Sequence, residues 1–308
     1  MSKTFKGGIS AIVAVLLAAS LSLTGCASAP TASATMASPE SDFEVLTLTP
    51  VQKENTPAPS PADRRVIITG YKGNAAAVVI PATIGGLPVI SIWQEAFRDR
   101  TDLKSVSLPV GLTSIGQQAF QGCTGLKSVN IPVGVTSIGA AAFGDCNGLA
   151  SVSIPEGVTS IGREAFSGCV SLTSIIIPAS VTSMGTAAFA LTNLKSVSIP
   201  AGLTSIGKEV FQYCLDLTSV NIPESVTSIG EEAFSITGLT SVRIPASVTS
   251  IGKAAFQVCE NLTSVTIGAN VALDETSFDY SFGGYYNTNG KKAGVYTLRN
   301  KAWSYAAQ

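Results

Sequence analysis

Short alternating runs dominate the chain from about residue 75 onward. In Ser128-Val129-Asn130-Ile131-Pro132, apolar and polar residues alternate with period two. That pattern predicts a short strand with Val129 and Ile131 turned inward. Pro132 lacks a backbone donor and predicts the end of pairing. Val135 and Ile138 supply the next inward contacts, Gly139 permits a tight turn where a Cβ would clash, and Ala142-Phe143 closes the unit with a ring in the middle of the coil.

The unit repeats. Its phenylalanine recurs at Phe97, Phe120, Phe143, Phe166, Phe189, Phe211, Phe234, Phe256 and Phe278, in steps of 23, 23, 23, 23, 22, 23, 22 and 22 residues. A proline recurs at Pro81, Pro109, Pro132, Pro155, Pro178, Pro200, Pro223 and Pro245. A fixed period near 23 predicts a repeat solenoid within the leucine-rich range, with about nine turns of short parallel strands and tight turns. One turn cannot bury its own apolar set. Stacking places Phe on Phe and Ile on Ile to make a continuous core.

Both ends depart from the pattern, as the open ends of a stack require. Residues 63–97 read as an N-terminal cap with the first repeat, 98–279 as the solenoid, and 280–308 as an aromatic cap with a strand. Near the C-terminus, Gly268 replaces the proline, and Tyr280, Phe282, Tyr285 and Tyr286 follow the last Phe. Gly294 to Leu298 is then expected to pair with a neighbouring strand, with Trp303 across the last turn. These aromatics read either as that cap or as a platform for sugars.

Ahead of the repeats, Lys3 and Lys6 precede an apolar run, Ile9 to Leu23, that is short for a membrane span. Leu23-Thr24-Gly25-Cys26 resembles a bacterial lipobox, so residues 1–25 are expected to be an export signal and Cys26 the lipidated residue. An ordinary signal peptide is the alternative. Residues 26–62, rich in Ala, Ser, Thr and Pro, read as a flexible tether. Within it Phe43 to Leu48 alternates like a strand but has no visible partner. Ala27 and Ser28 carry no acidic retention signal, which points to the cell surface or outer membrane, with a periplasmic position as the alternative.

Charge and chemistry narrow the function. Charged residues make up 13% of the chain, the formal net charge is −1, and there is no histidine. Without residues 1–25 the balance is 17 basic against 20 acidic residues, or −3. Phosphate binding needs a basic patch, so nucleic acid is not expected as a partner. Histidine-based catalysis and imidazole metal sites are excluded, and no Gly-rich phosphate loop occurs apart from the repeat glycines. Glu231 and Glu232 are adjacent, whereas glycosidase carboxylates flank a cleft. No enzyme activity, cofactor or metal is expected. Cys123, Cys146, Cys169, Cys214 and Cys259 recur at spacings of 23 or 45 residues, which match no zinc pattern. They are read as buried structural thiols, with a single bridge or a metal or redox role as alternatives.

Ser114-Ile115-Gly116-Gln117-Gln118-Ala119-Phe120-Gln121-Gly122-Cys123, repeated in Ser160 to Cys169, resembles the BspA-like leucine-rich repeat family of bacterial surface proteins. The resemblance spans about residues 63–308. Ile68 to Tyr71, Ile80-Pro81 and Trp93 to Phe97 resemble its opening unit, and Lys291 to Tyr296 its C-terminal strand. Met184 in place of Ile, and Val210 in place of Ala, are modest departures. The resemblance implies an envelope or secreted protein without enzymatic activity, and several members are linked to adhesion.

The expected partners are a membrane, through the lipid anchor, and an unidentified protein or glycan. The outward strand positions Ser107, Asn130, Ser153, Ile176, Ser198, Asn221, Arg243 and Thr266 form the candidate binding face beside a row of serines. Ile176 and Arg243 break its neutral hydroxyl character. A merely solvated face is the plainer reading. The function expected is an adhesin-like interaction module, the alternative a periplasmic scaffolding lipoprotein.

Overall fold

The computed structural model describes residues 36–49, 60–279 and 282–307. The expected signal segment and Cys26 lie outside them. The described chain is a β-solenoid, capped at both ends, with turns of 22–23 residues.

The turns stack through three ladders, two of them interrupted. The first is a Ser-Val face of three-residue strands such as Ser128–Asn130 and Ser151–Ser153, paired in parallel with Val129 opposite Val152. The second is a Ser-Ile face of two-residue strands, in which Ile115, Ile138 and Ile161 align in register. The third is the Phe edge, a turn-rich stretch joined by backbone hydrogen bonds. Along it Phe120 N–H donates to Ala142 O at 2.8 Å, Phe143 to Ala165 O at 2.8 Å and Phe166 to Ala188 O at 2.9 Å.

The core sits between these ladders. The nine repeat rings, Phe97 through Phe278, stack at centroid distances of 4.6–5.8 Å and interplanar angles of 3–14°. All nine are buried. Val135, Ile138 and their equivalents fill the space around them.

Gly139 has a more specific role than a tight turn. A Cβ there would lie 2.5 Å from the carbonyl carbon of Gly116, so glycine lets one turn approach the backbone of the last. The sharp reversals lie at two left-handed residues flanking each Phe from Phe97 to Phe256. In one turn these are Gln118 (φ 54°) and Gly122 (φ 71°), and in the next Ala141 (φ 49°) and Asp145 (φ 56°). Most are not glycine, which is why the sequence did not reveal them.

The expected tether, residues 26–62, is corrected over its middle. Strand β1, Phe43–Leu48, pairs antiparallel with strand β2, Arg65–Tyr71. Phe43 is buried and packs at a tilt against Tyr71 at 5.1 Å, and Tyr71 stacks on Phe97 at 5.4 Å. Ser38 N–H donates to Val79 O at 2.9 Å. The first turn needs a cover, and this segment supplies it. Its partner lies beyond a Pro-rich stretch, so local alternation gave no hint of the pairing.

At the C-terminus the expected strand forms. Gly294–Arg299 pairs antiparallel with Ser264–Ile267 and with Ala302–Ala306. Helix Phe282–Thr288 lays Phe282 on Phe278 at 4.6 Å, and Trp303 packs edge-on to Phe282 at 4.8 Å.

The five repeat cysteines are buried and unbridged. Each thiol donates to a Phe carbonyl one turn back, as in Cys123 to Phe97 O at 3.1 Å and Cys146 to Phe120 O at 3.1 Å. Where Thr192 and Thr237 replace cysteine, the hydroxyl donates instead to the Phe carbonyl of its own turn, at 2.8 and 2.9 Å. The position therefore belongs to a donor that satisfies a buried carbonyl. Burial pushes Cys123 and Cys169 up to about 12, Cys214 up to about 11, and Cys146 and Cys259 upward.

Replacing Phe166 by Ala leaves a hole in the ring stack and is expected to cost about 3–5 kcal/mol in denaturant melts. The five thiols should resist alkylation in native protein at pH 9 and react once it is unfolded, as peptide mass mapping would show. Because folding holds the thiols protonated, their contribution to stability is complete below about pH 8.5 and declines as pH rises toward 12. A melting temperature that rose between pH 8.5 and 10.5 would contradict this.

Candidate functional site

The Ser-Val strands point one side chain in and two out, so the candidate binding face follows from their register. Val106, Val129, Val197 and Val242 face the core, while Ser107, Asn130, Ser153, Ser198, Asn221 and Arg243 are exposed. Asn221 Nδ2 donates to Ser198 Oγ at 3.2 Å. Thr266 is only partly exposed, because its strand pairs with the cap strand, opposite Val295. The open face therefore ends one turn earlier than the repeat alone implied. Arg243 is held by Glu224 at 3.5 Å, so it does not stand as a free cation.

The face is interrupted in its middle. Ser174-Ile175-Ile176 occupies the strand position between Ser151–Ser153 and Ser196–Ser198 but pairs with neither as a strand. The surface recedes on both sides of it. One concavity of about 500 Å³ is lined by Ser151 to Ile154 and Ser174 to Ile176. A second, of about 430 Å³, is lined by Ile175, Ile176, Pro200, Asn221 and Pro223 among others. Ile176 stands between them with 83% of its surface exposed. A shallower depression of about 330 Å³ continues between Ser196–Ser198 and Ser219–Asn221.

The Ser-Ile face breaks close by. Its eight-stranded sheet ends at Ser183–Met184, and a four-stranded sheet begins at Ser205–Ile206. The break falls where an unbranched methionine, Met184, replaces the repeat isoleucine. Gly207 stands 3.4 Å from the preceding turn by its nearest Cβ contact, looser than its equivalents, and Phe189 and Phe211 are separated by 5.8 Å, the widest step in the ring stack.

The lining of both concavities is hydroxyl, amide and aliphatic, with no ionisable side chain. Such a surface offers hydrogen bonds and apolar contact to a ligand without selecting its charge. The sequence marked Ile176 as unusual, but the apolar floor of Val152, Ile175, Pro200 and Pro223 was hidden, because the same residue types fill ordinary turns elsewhere.

Other sequence candidates resolve as structural. Of the aromatics after the last repeat Phe, Phe282 and Tyr286 are buried with Tyr296 and Trp303 and cover the last turn, Tyr285 is partly exposed and Tyr280 lies outside the described residues; burial pushes Tyr296 up to about 12. Arg163 pairs with Glu164 at 2.8 Å, and Lys208 bridges Glu209 and Glu231 at 3.3 and 3.2 Å, all on the rim. Among the described residues no group of His, Cys, Asp or Glu is placed to hold a metal ion, and no helix is long and apolar enough to cross a membrane.

Known proteins place this architecture. A crystal structure of a T. pallidum leucine-rich repeat protein is 30% identical, with a TM-score of 0.59 over 74% of this chain and 91% of that one. A leucine-rich repeat protein from Bacteroides ovatus is also 30% identical, with a TM-score of 0.55 over 74% of this chain and 65% of that one. No curated protein matches the chain. The family profile described as "BspA type leucine rich repeat region" matches residues 77–193 and 182–289, in six copies. With its 23-residue turns, Phe stack and matched repeats, the chain belongs to the BspA-type leucine-rich repeat family.

Proposed function

We propose that this protein is an adhesin-like binding module held at the cell envelope, and that it docks a protein or glycan on its Ser-Val face. The pair of concavities meeting at Ile176 carries this reading, because they set an exposed isoleucine between two recesses with apolar floors on a face built mostly of hydroxyl and amide side chains. Leucine-rich repeat solenoids offer extended surfaces suited to protein partners. The lipobox at Leu23 to Cys26 supports an envelope anchor, with the acyl chains fixing the chain to a membrane that its mild acidity does not attract.

A neutral, shallow surface gives modest affinity per molecule. Many copies on one membrane raise the effective strength through avidity. Cell-surface display fits that logic. A periplasmic position would leave the same face to act as a scaffold.

Protease treatment of intact cells should remove the solenoid while a periplasmic control survives. Protection until the outer barrier is opened would establish the scaffold reading instead. Cys26→Ser should shift the protein from the membrane to the soluble fraction, and continued membrane retention would refute the lipid anchor. On arrays of extracellular-matrix proteins and glycans, Ile176→Ser should weaken any captured ligand by about tenfold, the loss expected of a central apolar anchor. That binding should change little between 50 and 500 mM salt, because the concavities carry no ionisable side chain.

A further inference from the structure

Two residues after each repeat Phe, the backbone is left-handed in turn after turn, and the side chains there divide the solenoid in two. The first four are Asp99, Gly122, Asp145 and Gly168, with φ of 56–74°. Glycine adopts this conformation freely, and aspartate tolerates it. The next four are Leu191, Tyr213, Ile236 and Val258, with φ of 57–59°. Large and β-branched residues are disfavoured there. Leu191, Tyr213 and Val258 are also 48%, 45% and 43% exposed, and Ile236 is partly exposed. Four consecutive turns thus hold residues unfavourable to the backbone and to solvation, where the preceding turns hold residues favourable to both.

These four form one stripe. Leu191 N–H donates to Gln212 O, Tyr213 N–H to Ser235 O and Ile236 N–H to Gln257 O, at 2.8–3.0 Å, so successive members sit one ladder step apart. Leu215, 64% exposed, follows Tyr213 by two residues. It lines a recess of about 340 Å³ with Asp216, Gly238, Asn261, Lys195 and Thr218.

The margins of the stripe are acidic. Asp216 and Glu260 are exposed on the Leu215 side. Glu232 lies on the other, within reach of the Gln212 amide. Among the described residues no cation forms an ion pair with these three carboxylates; Lys195 shares the Leu215 recess with Asp216, and Lys208 is engaged by Glu209 and Glu231.

We propose that this stripe docks a basic amphipathic helix lying along the stacking axis. Such a helix presents an apolar side chain about every 5.4 Å, near the ~4.8 Å step of stacked turns. An extended strand repeats one face about every 6.6 Å and loses register after two rungs. Lys or Arg beside the apolar seam would meet Asp216, Glu232 and Glu260. The surface lies on the Phe edge and is separate from the Ser-Val face around Ile176.

The test uses the full chain and a fluorescent peptide of about 18 residues, five helical turns. It is built from Leu, Ala and Lys, with Leu at helical spacing and Lys alongside. Anisotropy titration should show saturable binding that weakens as salt is raised. Joint replacement Leu191→Gly, Tyr213→Gly, Ile236→Gly and Val258→Gly relieves the left-handed strain, so circular dichroism should show the fold intact while binding falls about tenfold or more. Asp216→Asn, Glu232→Gln and Glu260→Gln together should weaken binding and flatten its salt dependence. Ile176→Ser should bind the peptide like wild type.

The proposal is overturned by absent binding or by equal binding of a scrambled or Glu-for-Lys peptide. Full affinity in the folded glycine variant also overturns it. Wild-type self-association that the glycine variant loses would do the same, assigning the stripe to a second copy of the chain.

Discussion

The hydrogen-bonded Phe edge is the constraint on which the rest of the molecule depends. Each turn from Phe97 to Phe256 reverses direction there through two left-handed residues, and those reversals aim the Phe and its flanking N–H groups at the next turn. The rings then stack within 4.6–5.8 Å along the whole solenoid. Both sheet faces contain breaks, and the Phe edge carries the chain across them. The thiol or hydroxyl three residues on satisfies a Phe carbonyl in the same interior, which ties its residue type to the turn and not to redox chemistry.

Much of the fold was legible because period and burial are the same information in a solenoid. Phe at fixed intervals, Val129 and Ile131 at alternate positions, and Pro132 as a terminator together located the inward side chains and the strand ends. The N-terminal cover was not legible. Phe43–Leu48 finds its partner at Arg65–Tyr71, across a proline-rich stretch whose composition reads as open chain. The left-handed positions were hidden for a related reason. Gly122 and Gly168 mark them in two turns, but Leu191, Tyr213, Ile236 and Val258 hold the same backbone without the usual residue.

The candidate site was legible only as an irregularity. Ile176 stood out against a column of Ser and Asn, whereas the apolar floor around it is built from Val, Ile and Pro, which fill ordinary turns elsewhere. Arg243 stood out equally and proved to be tied to Glu224. Thr266 fitted the column by spacing, yet the closing strand takes its place in the sheet. Spacing gives membership of a face. Which members remain open depends on how the stack is ended.

The separation of the Ser-Ile sheets after Met184 bears on mechanics. Turns within a block resist bending through more than one ladder. Between Met184 and Ile206 the Ser-Ile rungs are missing and the neighbouring Ser-Val position is unpaired, so the continuous tie is the Phe edge. Elastic compliance is therefore concentrated at one joint, with the Phe edge as its axis. The concavity lined by Ile175, Ile176, Ser198 and Pro200 spans this joint, whereas the one between Ser151 to Ile154 and Ser174 to Ile176 lies on the preceding step, where Ile161 and Met184 still pair. A load applied to the tip of the molecule would thus be felt first at the concavity that spans this joint.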